Sequence, residues 1–138
     1  MKKSLIAISA VVLLSGASVG GKLAYDNYQA KEQTKQQTKA IIDDFYSLNS
    51  KLKTGINKLN YTEEVAKLQT NLDKFNRDNP QSEIYGTLYI SLSDYKTAST
   101  YWSRCIEAGL SCTEQLTPLW DESGKAIDRA NDKFLKIK

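Results

Sequence analysis

Ile41, Phe45, Leu48, Leu52, Ile56 and Leu59 recur at intervals of 4, 3, 4, 4 and 3 residues. An α-helix turns once per 3.6 residues, so this spacing gathers all six on one face; a strand would scatter them over two. A chain written this way buries its apolar surface by packing helix against helix. The pattern continues downstream. Val65, Leu68, Leu72 and Phe75 form a second stripe. Ile84, Leu88, Tyr95, Ala98, Trp102 and Cys105 form a third, with Tyr85, Tyr89, Leu92 and Ile106 beside it. Leu116, Trp120, Ile127 and Phe134 form a fourth. Only two prolines occur, Pro80 and Pro118, and there is no Asn-Gly hairpin signal. The expected fold is all-α, an up-and-down bundle of about four helices joined by short loops, preceded by an N-terminal signal or anchor helix.

The boundary signals are local. The first helix is expected from near Gly21 to Leu59, with the polar part Lys31–Lys39 projecting from the core because it offers no apolar side chain. Thr62, followed by Glu63 and Glu64, reads as the capped start of the second helix. Pro80 reads as part of the first turn of the third, and Gly109 as the left-handed residue just past its end. Tyr95 and Trp102 lie on the main stripe and are expected in the core, and the doubly striped third helix is expected at the centre. Ser111 and Glu114 have the spacing of a capping box for the fourth helix, with a turn and restart or kink expected at Thr117–Pro118. Gly86 and Gly124 fall inside helices, where close helix contact accounts for them better than a ligand cradle.

The N-terminus specifies a compartment. Lys2 and Lys3 precede an uncharged run, residues 4–21, whose apolar heart is Leu5–Leu14. That is the layout of an export signal. Ser15 and Ala17 supply the small residues of a cleavage site after Ala17. The run is also about the shortest that spans a bilayer, and Tyr25 and Tyr28 follow as interfacial residues do. The sequence supports a signal peptide or a membrane anchor over residues 1–21, a polar membrane-proximal stretch over 22–40, and a bundle over 41–138. If the run is retained, the positive N-terminus stays inside, giving a single-pass protein of the inner membrane with its C-terminal domain in the periplasm. Cleavage near Ala17 would instead give a soluble periplasmic or secreted protein.

Charge and composition exclude several functions. Without Lys2 and Lys3, 17 basic residues remain against 16 acidic, so the exported part lacks the basic excess that nucleic-acid binding needs. Histidine is absent, which removes the commonest general base and metal ligand. No phosphate loop, dinucleotide fingerprint or nucleophile elbow occurs. The carboxylate pairs Asp43–Asp44, Glu63–Glu64 and Asp121–Glu122 point about 100° apart on a helix, so none forms an acid–base pair by itself. Neither catalysis, a cofactor nor a metal is expected.

Two features remain. Cys105 and Cys112, the only cysteines, flank the turn after the third helix, and in an exported protein they are expected to form a disulfide. So short a loop would contribute roughly 2–3 kcal/mol. Tyr85, Tyr89, Tyr101 and Trp120 are the candidate partner or ligand surface, with Tyr101, which lies off both stripes, the first choice for an exposed contact. The sequence therefore reads as a non-enzymatic helical interaction module of the cell envelope, binding another envelope or exported protein, with an immunity or inhibitor protein as a special case. The alternative is a sensor-like bundle holding a small apolar or aromatic ligand between its helices.

Overall fold

The structure, a computed structural model, describes the backbone of residues 4–137 and side chains over residues 21–137. Among the described residues it is all-helical: α1, Ser4–Thr54; α2, Lys58–Asp78; α3, Glu83–Glu107; and α4, Thr113–Leu135. The side chains of the proposed leader, residues 1–20, lie outside those described. Among the described residues no helix is long and apolar enough to cross a membrane.

The chain divides into two compact units, residues 1–36 and 37–138. In the first, Leu23, Tyr25 and Tyr28 are exposed, and Gln29 Nε2 donates to the Tyr25 hydroxyl at 3.0 Å. The second is the bundle. Its first buried side chain is Thr38, so packing starts inside the stretch expected to project, on a short polar residue that apolar periodicity does not register.

Polar cross-links show the antiparallel order of the bundle helices. Asn79 Nδ2 donates to Gln37 Oε1 at 2.9 Å, Asn71 Nδ2 to Asp44 Oδ2 at 2.9 Å, and Lys51 pairs with Glu64 at 3.0 Å, so α2 descends as α1 ascends. The Lys51 ammonium holds the Glu64 carboxyl below its ordinary pKa. Between α3 and α4, the Ser91 and Ser123 hydroxyls meet at 2.5 Å, and Lys133 Nζ donates to Thr87 Oγ1 at 3.1 Å. Tyr46 OH donates to Asp128 Oδ1 at 2.9 Å, joining α1 to α4 and closing the ring of helices.

The expected stripes form the core. Phe45, Leu48, Leu72, Leu88, Tyr95 and Ile127 are all fully buried. Helices α3 and α4 pack closely against each other. Small buried residues allow it: Ser91 on one side, Ser123, Ala126 and Ala130 on the other. Ser123 Oγ also lies 3.1 Å from the Ser91 carbonyl oxygen, to which it donates, a contact that only a short side chain permits.

Five boundaries differ from expectation. Pro80 lies in the turn before α3 and not in its first turn, because that helix starts at Glu83 after the N-cap Ser82. Helix α1 stops at Thr54 because Gly55 adopts φ +102°, so Leu59 does not continue the stripe and is 68% exposed. Asn57, not Thr62, caps α2: its side chain accepts from Asn60 N at 2.9 Å, while Thr62 Oγ1 donates back to the Lys58 carbonyl inside the helix. The Ser111–Glu114 capping box does not form. Cys112 stands at the N-cap of α4, and no side chain caps that helix. Finally, α4 runs through Pro118 without a restart. Proline removes the bond that its N–H would make to the Glu114 carbonyl, but that carbonyl belongs to an exposed residue, where water can serve it.

Gly109 behaves as expected. Its φ is +66°, and the Leu110 N–H bonds the Cys105 carbonyl at 2.9 Å, the six-to-one bond of a helix end closed by a left-handed glycine. A Cβ built on Gly124 would meet Asn49 side-chain atoms at ordinary contact distance, 3.5 Å for the nearest, so α1 lies close beside it. Gly86 departs from expectation: a Cβ built there would meet nothing within 4 Å, so no neighbouring helix explains it.

Candidate functional site

The aromatic residues separate into an interior cluster and an outer set. Tyr61 is the hub of the interior cluster. Its ring lies 5.4 Å from Trp102, 6.0 Å from Trp120 and 6.4 Å from Tyr95, centroid to centroid. Trp102 and Trp120 meet edge-on at 5.8 Å, and Phe45 stacks on Tyr95 at 6.5 Å. All four helices thus contribute a ring, in the tilted and edge-to-face arrangements that aromatic quadrupoles favour.

Hydrogen bonds fix the hub. Tyr61 OH donates to the Tyr95 carbonyl at 2.8 Å and accepts from Trp120 Nε1 at 3.3 Å. Burial raises the Tyr61 pKa, against the opposing pull of the Trp120 donor. Tyr95 is equally enclosed. Among the described residues its hydroxyl has no partner of good hydrogen-bond geometry. The nearby Ser123 and Ser91 hydroxyls only partly offset burial, which pushes its pKa up to about 12.

The four residues expected to form one surface do not come together. Trp120 is half-buried inside the cluster just described. Tyr85 is half-buried and leans on Tyr89 at 5.9 Å, while Tyr89 is exposed. Tyr101 is also exposed, but it lies twelve residues along α3 from Tyr89, about 18 Å at 1.5 Å per residue. Tyr89 borders an open groove of about 240 Å³ between α2 and α3, with Gln69, Asp73, Ser93, Lys96 and Thr100 among its other walls. A second groove, of about 190 Å³, lies between α1 and α2 beside Asp44, Asn71 and Asp78.

The cysteines differ from expectation as well. Cys105 is buried, Cys112 is half-buried, and both are free thiols. The helix-ending turn directs Cys112 Sγ toward the carbonyls of Trp102 at 3.9 Å and Leu110 at 3.8 Å. A hydrogen bond with Cys105, and then burial, raise the pKa of the Cys112 thiol. Among the described residues no three His, Cys, Asp or Glu side chains converge as metal ligands would.

Three exposed aliphatic side chains lie toward one end of the bundle. The cluster around Tyr61 brings the start of α2, the end of α3 and the start of α4 to one end of the bundle. Leu59 lies in the first turn of α2, Ile106 in the last turn of α3 and Leu110 in the turn between α3 and α4, and each is more than half exposed. Helical periodicity assigned Leu59 and Ile106 to buried faces. Leu59 faces water because the break at Gly55 moves it onto α2, where 100° per residue turns it about 160° away from the buried Tyr61, and Ile106 faces water in the last turn of α3.

No protein-family model, no curated protein and no solved structure matches this chain.

Proposed function

We propose that this chain is an exported, membrane-anchored and non-enzymatic helical interaction module of the bacterial cell envelope. It binds another envelope or exported protein, as an immunity or inhibitor protein would. The observation that carries this reading is the group of exposed aliphatic side chains, Leu59, Ile106 and Leu110, at one end of a bundle whose interior is already filled. Large exposed apolar side chains toward one end of a packed bundle favour association with a protein surface. The ligand-sensing alternative has less support, because Tyr61, Tyr95, Trp102 and Trp120 pack against one another and leave the space between helices to their own rings.

A photo-reactive amino acid placed at Leu110 in living cells tests the proposal. A discrete adduct with a different envelope protein is expected, weakened when Leu59→Asp is added. Recovery of no adduct, or of self-adducts alone, would overturn it.

Export also carries the disulfide. In an oxidising compartment the Cys105 and Cys112 thiols would give up two protons and two electrons to an oxidised thiol–disulfide exchange protein, forming one S–S bond. Non-reducing mass analysis of chain recovered from the envelope should then show a mass lower by two hydrogens than the reduced chain. Two thiols open to alkylation would refute the bond.

A further inference from the structure

We propose that a second copy of this chain docks antiparallel across the outward face of α3. At 100° per residue, Glu83, Gly86, Ile90, Thr97, Tyr101 and Arg104 fall within roughly a 60° arc of that helix. Every one of them is exposed. Ile90 and Tyr101, 52% and 43% exposed, are large apolar side chains on a face that covers nothing within the chain. Gly86 adds a second oddity. A glycine inside a helix is less favourable than alanine, and among the described residues no contact compensates for it, since a Cβ there meets open space.

One register accounts for all six residues. With a two-fold axis between Ser93 and Asp94, an antiparallel copy sets Gly86 opposite Tyr101, Glu83 opposite Arg104, and Ile90 opposite Thr97, each pair occurring twice. The Tyr101 ring of the second copy enters the notch over Gly86. Glu83 and Arg104 form no ion pair among the described residues, so each is free to meet its opposite across the axis. Ser93 at the axis permits close approach. Asp94, the other axial residue, is half-buried, and burial and then the Glu122 charge raise its pKa against the pull of Arg129 on α4. Antiparallel helices also oppose their dipoles favourably, whereas a parallel pair would set Glu83 against Glu83. This is an isologous interface, the commonest kind in homodimers. A single helix crossing buries less than the roughly 1,600 Å² of a standard interface, so the dimer is weak, with a dissociation constant on the order of 100 μM.

Sedimentation equilibrium of the full chain in density-matched detergent tests the pairing, and it does not depend on the bundle-end surface. The wild type should self-associate. Gly86→Leu should weaken association about tenfold or more by filling the notch, while raising the melting temperature of the monomer. Glu83→Arg and Arg104→Glu should each weaken association, and the double swap should restore it, with helical content unchanged throughout. A wild type that stays monomeric at about 1 mM would overturn the proposal, since that is well above the expected dissociation constant. So would a dimer indifferent to Gly86→Leu, as a dimer formed through the N-terminal segment would be, or a double swap that fails to restore pairing.

Discussion

Tyr61→Ala is expected to destabilise the bundle by about 4–5 kcal/mol, the upper range for losing a large buried aromatic. The side chain is fully enclosed and touches three other rings contributed by α3 and α4. Its removal leaves a cavity in the ring cluster to which all four helices contribute, and it strips Trp120 Nε1 of its acceptor. Small domains are stable by only about 5–15 kcal/mol, so the variant should be largely unfolded in mild urea. Tyr61→Phe keeps the ring and loses the hydroxyl, and should cost about 1–2 kcal/mol. Urea titration followed by tryptophan fluorescence checks both, because Trp102 and Trp120 sit against the altered ring. A Tyr61→Ala loss under about 1 kcal/mol would mean that the ring cluster does not hold the helices together.

The second large effect is alkaline unfolding. An unfolded tyrosine titrates near pH 10. In the fold, burial and then the Asp128 hydrogen bond raise Tyr46 to about 12. Burial raises Tyr95 to about 12 as well, and Tyr61 moves in the same direction. The folded chain therefore keeps protons that the unfolded chain releases. When the native state binds more protons, stability falls as pH rises. The contribution of these groups is fully present below about pH 10 and is lost progressively as pH climbs toward about 12. For Tyr95, fully buried, the shift corresponds to about 2–3 kcal/mol; for the more accessible Tyr46, solvent screening leaves less. Helical circular dichroism should collapse in this window, together with the rise of phenolate absorbance. Phenolate appearing at Tyr95 while helicity and melting temperature stay unchanged would refute the linkage.

The fold was legible wherever one face of a helix stays buried along its whole length. Phe45, Leu72, Leu88 and Ile127 carry the period of 3.6, and the same residues fill the core. Legibility failed where geometry is set by the backbone or by a neighbouring helix. Gly55 ends α1 by taking a left-handed conformation that the apolar stripe ran straight through. Placing the cap of α2 at Thr62, five residues past Asn57, cut off Tyr61, although Tyr61 stands four residues before Val65 on the same stripe; the hub of the core was lost with the first turn of its helix. Ser91 and Ser123 read as polar, yet they are wholly buried because their smallness lets α3 and α4 touch. Trp120 was placed on the candidate surface because nothing in the sequence tells that its indole N–H would find the hydroxyl of Tyr61. For Gly86, what matters is the empty space beside it, and a sequence does not record that.

The ring cluster also orders events in time. Phe45 and Tyr61 come from the first half of the bundle, but the rings they pack against, Tyr95, Trp102 and Trp120, all belong to the second. A chain emerging from a ribosome, N-terminus first, has α1 and α2 to offer before the rings of α3 and α4 that Phe45 and Tyr61 pack against. It stays pliable and threadable until most of its length has been delivered, and only then can it snap shut.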